Sequence, residues 1–147
     1  MTQLYWEDVS IGQKLDPVAF PLTVYRLVMT AGANRDFNAI HHNTDYARST
    51  GAPDMYANVL FLQGMWERTV RNFIGLAGTI RALRGFRMKL FNTVGDTVVV
   101  KGRVRGKSIE DGVGIVEIEL WSENSIGVSV GPGAMIVTLP IGGGGRA

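Results

Sequence analysis

The chain has 147 residues, of which 46% are hydrophobic and 19% are charged, and its formal net charge is +2. This length suits one domain with its own core, and the composition excludes a disordered chain. The absence of cysteine excludes disulfides, thiolate metal sites and cysteine nucleophiles. No apolar run reaches the roughly 18–20 residues of a membrane helix, and the acidic first ten residues do not look like a targeting segment. We therefore expect a cytoplasmic protein without a membrane partner.

The first half of the sequence predicts short helices around a polar loop. Residues 4–20 suggest an extended arm with one strand. Thr23 is a suitable N-cap for a first helix, because apolar residues recur after it at helical spacing. The polar loop covers residues 35–45. A short helix around Tyr46–Ser49 is then expected to end at Gly51.

A long amphipathic helix is predicted next, with its start at Pro53-Asp54 and its end at Gly75. It would be about 20 residues long and the longest helix of the chain. Gly64 in its interior costs about 1 kcal/mol relative to alanine, and close packing against a sheet would explain it. The apolar stripe of this helix consists of Val59, Leu62, Trp66, Val70 and Phe73.

After Gly78 the hydrophobic period falls to two, which predicts about four consecutive antiparallel strands. The segment Gly131–Gly133 suits a bulge or a sheet edge. The order of elements predicts an α+β fold with an antiparallel sheet around one long helix, and pairing with a second chain would cover its open edges. We expect a single domain over residues 1–140 and a disordered glycine-rich tail over 141–147. The predicted strands lie at residues 86–90, 98–105, 116–121 and 134–139.

The densest polar cluster is the loop over residues 35–45, which contains both histidines of the chain. The short spacing between Asp36 and His41 can bring a carboxylate and an imidazole to one water molecule, as acid–base addition of water requires. On spacing alone, a purely structural role as caps and hydrogen-bond partners is the simpler interpretation. His42 should point elsewhere, and two adjacent histidines without cysteine do not match a metal site, so we expect no metal.

This loop resembles the signature of the MaoC-like (R)-specific enoyl-CoA hydratases, through the motif D-x-N-x-I-H at Asp36, Asn38, Ile40 and His41. The resemblance covers roughly residues 4–140. It implies a hot-dog fold that dimerises through its sheet, and syn addition of water to a trans-2-enoyl-CoA. Coenzyme A would be part of the substrate, and no separate cofactor is expected.

The resemblance also suggests roles for single residues. Asp36 would be the chief base toward water, and His41 would bind the same water and assist proton transfer. Asn38 would brace the loop at the substrate. The backbone N–H of Asn58, where the family usually has glycine, would polarise the thioester carbonyl at a helix N-terminus. Arg35 would line the substrate site and hold the neighbouring Asp36 carboxylate ionised.

The variant R-D-F-N-x-x-H-H is similar to small actinobacterial members of the family. Some of those pair with a second MaoC-like chain to hydrate bulky steroid-type esters. The resemblance therefore implies a homodimer or a hetero-oligomer with another MaoC-like chain, and a steroid-type substrate is one possibility. Two alternatives stay open: a non-catalytic or partner-dependent acyl-CoA-binding subunit, and a hot-dog acyl-CoA thioesterase.

A basic stretch runs from Arg81 to Lys107. Solvated strand faces are the simplest interpretation, and a patch for the phosphates of coenzyme A is the functional alternative. The sequence contains no recognisable nucleic-acid module, so we expect no nucleic-acid partner. The cations of this stretch are Arg81, Arg84, Arg87, Lys89, Lys101, Arg103, Arg105 and Lys107.

Overall fold

The structure is a computed structural model that describes residues 3–142 as a curled, five-stranded antiparallel sheet against one long helix. This confirms the predicted α+β architecture. The strands are β1 (Val18–Pro21), β2 (Thr79–Arg84), β3 (Thr97–Glu110), β4 (Val113–Glu123) and β5 (Val128–Leu139). The helices are α1 (Val24–Ala33), α2 (Thr44–Ser49) and α3 (Val59–Ile74), with short 3-10 turns at Trp6–Asp8 and Ala39–His41.

The sheet has the strand order β1-β3-β4-β5-β2. The three long central strands follow one another as hairpins. Asp111 and Gly112 connect β3 to β4 with positive φ angles of 49° and 76°, as a tight hairpin turn requires. The two shorter strands are the edges, so β1 and β2 each have one side without a strand partner among residues 3–142.

Helix α3 buries one face against the inward side chains of the long strands. Trp66 is fully buried, its Nε1–H donates to Ser122 Oγ over 2.7 Å, and its ring packs edge-to-face on Phe86 at 4.9 Å. A buried indole needs such a partner for its N–H, so this contact fixes the helix at one position on the sheet. The core residues of α3 are Leu62, Met65, Trp66, Val70 and Ile74.

The predicted start of the long helix at Pro53-Asp54 is wrong, because α3 begins at Val59 and has 16 residues. Asn58 is its N-cap, and the Asn58 Oδ1 atom accepts a hydrogen bond from Phe61 N–H over 2.8 Å. The backbone just before this cap bonds to the segment that follows β2, through Ala57 N–H to the Asn92 carbonyl and Val94 N–H to the Met55 carbonyl. The predicted end at Gly75 is confirmed, because α3 ends at Ile74 and Gly75 is its C-cap, with a φ of 73° that favours glycine.

The explanation offered for Gly64 is also wrong. The residue is exposed, and a Cβ atom added there would meet no atom within 4 Å apart from the helix backbone itself. The sheet packs against the opposite face of α3, where Met65 and Trp66 are buried. Gly64 therefore has no packing role within the part of the chain that the structure describes.

The first predicted strand is shifted along the sequence. The strand is β2, and residues 86–90 are an irregular segment that contacts β5 through a single bridge between Met88 and Val130. Gly85 ends β2 with a φ of 65°, which separates the two segments. An irregular chain that lies along a strand shows the same alternation of apolar and charged residues, so periodicity could not distinguish it from a strand.

The segment Gly131–Gly133 lies inside β5, which runs between β4 and β2. The predicted bulge is confirmed by register shifts opposite it on β4, whereas the alternative of a sheet edge is wrong. The predicted tail at 141–147 lies largely outside the described residues. Within residues 3–142, none of the helices combines the length and apolar character that a membrane crossing requires.

Candidate active site

The structure brings Asp36 and His41 together. The Asp36 Oδ2 atom lies 3.1 Å from His41 Nε2, and the imidazole is 7% exposed whereas the carboxylate is 35% exposed. The predicted proximity of the two side chains is therefore confirmed. A buried imidazole beside a carboxylate that solvent or a ligand can reach is a suitable geometry for proton transfer.

Asp36 is positioned by the way α1 ends. Arg35 N–H donates to the Gly32 carbonyl over 3.1 Å, and Asp36 N–H donates to the Ala31 carbonyl over 2.9 Å. This pair of bonds is a Schellman motif, in which the residue after the C-cap has a left-handed conformation. Arg35 occupies that position with φ at 55°. The helix end thus presents Asp36 through rigid backbone bonds, although a non-glycine residue carries the strain.

His41 is held from two sides. Asn38 caps the 3-10 turn that carries the histidine, because its Oδ1 atom accepts from Ile40 N–H over 3.2 Å. The His41 Nδ1 atom lies 2.7 Å from the backbone carbonyl oxygen of Tyr56, and Tyr56 N–H donates to the Ile40 carbonyl over 3.2 Å. The loop and the segment before α3 therefore form one hydrogen-bonded unit around the imidazole.

The Tyr56 carbonyl fixes the tautomer of His41. A carbonyl oxygen only accepts, so Nδ1 carries a proton that it donates to Tyr56. In the neutral ring, Nε2 then has a lone pair that faces the Asp36 oxygen. The 3.1 Å separation between His41 Nε2 and Asp36 Oδ2 lets both atoms contact one water molecule.

Tyr56 is the residue of this site that the sequence did not indicate. Its ring packs edge-to-face against the His41 ring at 5.4 Å and against Phe91 at 5.0 Å. Burial raises the pKa of the Tyr56 phenol, and the negative charge of Asp36 raises it further. The phenol is therefore neutral and can donate a hydrogen bond. The hydrogen bond from His41 is accepted by the backbone carbonyl of Tyr56, fifteen positions along the chain. Because any residue has such a carbonyl, no side-chain motif predicts this bond.

Asn58 stands at the N-terminus of α3, next to this unit. Its Oδ1 atom accepts from Phe61 N–H and from Asn34 Nδ2, which lies at the end of α1, 3.3 Å away. Its Nδ2 atom is buried and has no hydrogen-bond partner, the one such side-chain atom found among residues 3–142. An unsatisfied buried donor is rare and usually marks strain or function. The helix N-terminus adds a partial positive charge.

The other predicted residues lie around the pair without joining it. Arg35 is exposed, and its side chain has no ion pair with Asp36 within the described chain, so His41 is the partner of that carboxylate. Asn38 braces the loop as expected. His42 is exposed and points away, with its Nε2 atom 3.4 Å from the Phe37 carbonyl. In residues 3–142, no three His, Asp or Glu side chains come together as a metal site would require.

A largely apolar cavity of about 270 Å³ opens beside Tyr56. It lies between the segment before α3 and the irregular segment after β2. Tyr56, which contacts His41, is one of its lining residues, and Lys89 and Asn92 are polar members of the lining. The cavity is lined by Tyr56, Ala57, Leu62, Met88, Lys89, Leu90, Phe91 and Asn92.

Comparison with known proteins identifies relatives of this chain. No protein-family model matches it. It is 31% identical over 101 residues to the beta subunit of a 3-oxo-4,17-pregnadiene-20-carboxyl-CoA hydratase from Mycobacterium tuberculosis, and the match covers 69% of this chain and 74% of that subunit.

Solved structures with the same fold include the ChsH1-ChsH2 complex from Mycobacterium tuberculosis, with 27% identity and a TM-score of 0.78 over 89% of this chain and 98% of that one. A MaoC-like dehydratase from Rhodospirillum rubrum has 19% identity and a TM-score of 0.78 over 95% of this chain and 99% of that one. The sheet curled around α3 is the hot-dog fold of these proteins. The chain is a member of the MaoC-like hydratase and dehydratase family.

Proposed function

We propose that this protein is an enoyl-CoA hydratase that adds water to a trans-2-enoyl-CoA thioester, with Asp36 and His41 as the acid–base pair. The observation that carries the proposal is the 3.1 Å contact between the two side chains, with His41 oriented by the Tyr56 carbonyl. His41, with its tautomer fixed, can accept a hydrogen bond from a water molecule. The Asp36 carboxylate, which a ligand can reach, can take the proton that the same water loses.

In the proposed reaction, a water molecule enters the pair and its oxygen attacks carbon 3 of the enoyl group. His41 Nε2 accepts a hydrogen bond from this water, and Asp36 takes the proton that the water loses. The electron pair of the double bond moves toward the thioester, where an enolate oxygen forms. Asp36 then returns the proton to carbon 2 on the same face. One water is added, and both side chains recover their starting state.

The enolate oxygen needs a donor, and we assign this role to the backbone N–H of Asn58. The first backbone N–H groups of a helix lack acceptors within the helix and carry its partial positive charge. Donors of this kind stabilise a developing oxyanion in many acyl-transfer sites. Asn58 is tied to α1 through Asn34, which places this helix end beside the Asp36 loop. Arg35 and Asn38 remain candidates for contacts with the substrate.

The cavity beside Tyr56 is our candidate for the acyl group. Its lining is mainly apolar, as an acyl chain requires, and Tyr56 is one of the lining residues. Its volume of about 270 Å³ is slightly below the range of typical ligand sites, which is roughly 300 to 1,000 Å³. The Mycobacterium relative is named as a steroid-type hydratase subunit. A substrate of that size would extend beyond the cavity into space that a second chain would have to enclose.

We also propose that the protein works as a dimer of hot-dog chains, either with a second copy or with a different MaoC-like chain. The solved relative is a complex of two named chains, ChsH1 and ChsH2. Coenzyme A would enter only as part of the substrate, and the cations of the basic stretch are candidates for its phosphates. A partner-dependent subunit is the second candidate function, favoured by the description of the Mycobacterium relative as a beta subunit.

The test is an ultraviolet absorbance assay of the conjugated enoyl thioester. The purified protein would receive a short, a long and a steroid-type trans-2-enoyl-CoA, and the Asp36→Asn variant serves as control. We expect absorbance to fall with wild type and not with the variant, and we expect no free thiol. Release of free thiol from saturated acyl-CoA esters would instead identify a thioesterase. Loss of absorbance only after addition of a second MaoC-like chain would identify a partner-dependent subunit.

A further inference from the structure

The lining of the candidate acyl cavity comes from two parts of the chain. Residues 88–92, from the irregular segment after β2, supply one part, and we call them the cavity segment. Tyr56, Ala57 and Leu62 supply the other part. Ala57 and Leu62 are 2% and 1% exposed, so they cannot move aside without a loss of core packing. Room for a larger ligand would therefore have to come from the cavity segment.

The backbone of the cavity segment is held near both ends. Lys89 N–H donates to the Ser129 carbonyl of β5 over 2.8 Å, and the Asn92 carbonyl accepts from Ala57 N–H over 2.9 Å. The first bond attaches the segment to the sheet, and the second attaches it to the residues before α3. The cavity segment therefore cannot swing outward unless these bonds break.

Asn124, in the turn between β4 and β5, fixes the backbone next to Phe91. The Asn124 Oδ1 atom accepts from Ile126 N–H over 3.0 Å and from Gly127 N–H over 3.2 Å. Its Nδ2 atom donates to the Phe91 carbonyl over 2.9 Å and to Asn92 Oδ1 over 3.2 Å. Because the amide oxygen only accepts and the amide nitrogen only donates, these contacts define one orientation of the Asn124 amide. The Phe91 side chain thus projects from a fixed backbone.

The Phe91 ring is the last of three rings that lead away from Asp36. The Tyr56 ring contacts the His41 ring at 5.4 Å and the Phe91 ring at 5.0 Å. Phe91 is 45% exposed and Met88, which also lines the cavity, is 48% exposed. An apolar ligand that covers these side chains would remove their surface from water, which favours binding.

The Phe91 ring is also the rigid side chain of the cavity segment. Met88 and Lys89 have long, flexible side chains that can rotate away from a ligand. The Phe91 ring is planar and packs on Tyr56, so a ligand that passes it has to break this contact. A cavity of about 270 Å³ with such a lining limits the length of the group that it can enclose.

We infer that Phe91 is a specificity-determining residue, which restricts the enclosed acyl group to a chain that ends within the cavity. A short chain would leave the cavity partly empty, whereas a long chain would have to displace the Phe91 ring. The inference rests on the proposed function, because it assumes that this cavity binds the acyl group. It adds the class of acyl chain and the residue that selects it.

The test measures the affinity for saturated esters, which have no double bond to hydrate. Dissociation constants of butyryl-, octanoyl- and lauroyl-CoA would be measured by calorimetry for wild type, Phe91→Ala and Phe91→Trp. We expect wild type to bind octanoyl-CoA most tightly. In Phe91→Ala, the affinity for lauroyl-CoA relative to octanoyl-CoA should rise by about 10-fold or more, because additional methylene groups become buried. The larger ring of Phe91→Trp should shift the preference toward butyryl-CoA.

Phe73→Ala is the matched control, because it removes the same ring from a half-buried position on α3 that does not line the cavity. We expect the relative affinities of the three esters to stay as in wild type, and thermal unfolding should confirm that every variant is folded. Relative affinities that are unchanged in both Phe91 variants would overturn the inference and leave the proposed function intact. Failure of wild type to bind any of the esters would overturn both, so the two failures are distinguishable.

Discussion

The loop that carries Asp36 and His41 and the sheet that follows it are stabilised in different ways. Strands β3, β4 and β5 are joined by continuous backbone ladders, and their inward side chains are buried against α3. The loop depends on single hydrogen bonds from side chains, such as Asn38 to Ile40 and His41 to Tyr56. The sheet therefore supplies most of the stability, whereas the loop places the chemistry. Changes in the two regions should separate stability from activity.

The two regions also differ in why some residues depart from ordinary backbone or hydrogen-bond geometry. The left-handed Arg35 and the unsatisfied Nδ2 atom of Asn58 both lie in or next to the loop. Departures of this kind cluster at functional sites, because selection there acts on geometry and not only on stability. The sheet has its own irregularities, but the left-handed Asp111 is what its tight hairpin turn requires, and the bulges disrupt the ladders only locally.

The largest expected effect on stability comes from the sheet side, through Trp66→Ala. Loss of a fully buried indole should lower the free energy of unfolding by about 3–5 kcal/mol. Chemical denaturation would measure this loss. Trp66→Phe is the milder control. It keeps an aromatic ring in the core but removes the indole N–H that donates to Ser122 Oγ over 2.7 Å. Hydration rate per folded molecule should be unchanged in Trp66→Phe. A fall in that rate without a fall in stability would contradict the division between sheet and loop.

A smaller change is expected from Arg35→Gly, in the opposite direction. Glycine adopts a φ of 55° without the steric penalty that a side chain incurs, so the free energy of unfolding should rise by about 1 kcal/mol. Arg35→Ala is the control, because alanine keeps the strain and removes the guanidinium. Chemical denaturation of both variants would separate backbone strain from charge. A less stable glycine variant would contradict the Schellman geometry assigned to this helix end.

Two variants of Asn58 separate the role of its side chain, which caps α3, from the role of its backbone N–H, which we assign to the oxyanion. Asn58→Ser keeps an oxygen that can cap α3, whereas Asn58→Ala does not, so serine should be more stable by about 1 kcal/mol. Both variants retain the backbone N–H, so we expect hydration rates within a few-fold of wild type for each. Denaturation and the absorbance assay would measure the two effects. A loss of rate of about 100-fold in Asn58→Ser would move the oxyanion contact to the side-chain amide.

The smallest effect is expected at Asp54, which joins α2 to the segment before α3. The hydroxyl of Thr44, 2.6 Å away, lowers the pKa of the Asp54 carboxyl below its ordinary value of 3.8, and the Met55 N–H and Arg48 lower it further. A depressed folded pKa adds stability that is present above pH 3.8 and is lost as pH falls through the folded pKa.

The stability difference between wild type and Asp54→Asn should therefore be largest near neutral pH and shrink below pH 3.8. Unfolding curves across this pH range would show it. Asp16→Asn, which neutralises an exposed carboxyl, is measured beside it as the control for the loss of one negative charge. A difference between wild type and Asp54→Asn that stays constant over the range would rule out this contribution.

Local patterns predicted the loop better than the elements around it. The approach of Asp36 to His41 follows from a short spacing and a helix end, which are both local features. The start of α3 could not be read in the same way, because the cap at Asn58 competes with an equally good signal at Pro53-Asp54. Tyr56 was missed because its contact with His41 is made by a backbone carbonyl, which any residue could supply.

The sheet shows the same limit at β2. Alternation predicted a strand at residues 86–90, yet the pairing partner of β5 is the preceding segment Thr79–Arg84. Periodicity reports which side chains face the core, and it does not report which backbone groups are hydrogen-bonded. The absence of carboxylates between Glu67 and Asp96 could be read from the sequence. That part of this segment forms β2, an edge strand of the sheet, is revealed only by the strand order.

The central claim is that Asp36 and His41 act as one pair, and a double-mutant cycle tests it most directly. Hydration rates would be measured for wild type, Asp36→Asn, His41→Ala and the double variant, with unfolding curves to confirm that each protein is folded. We expect each single variant to lose about 100-fold or more in kcat, and the double variant to be no slower than the slower single one. Full activity in either single variant, or losses that multiply in the double variant, would contradict the claim.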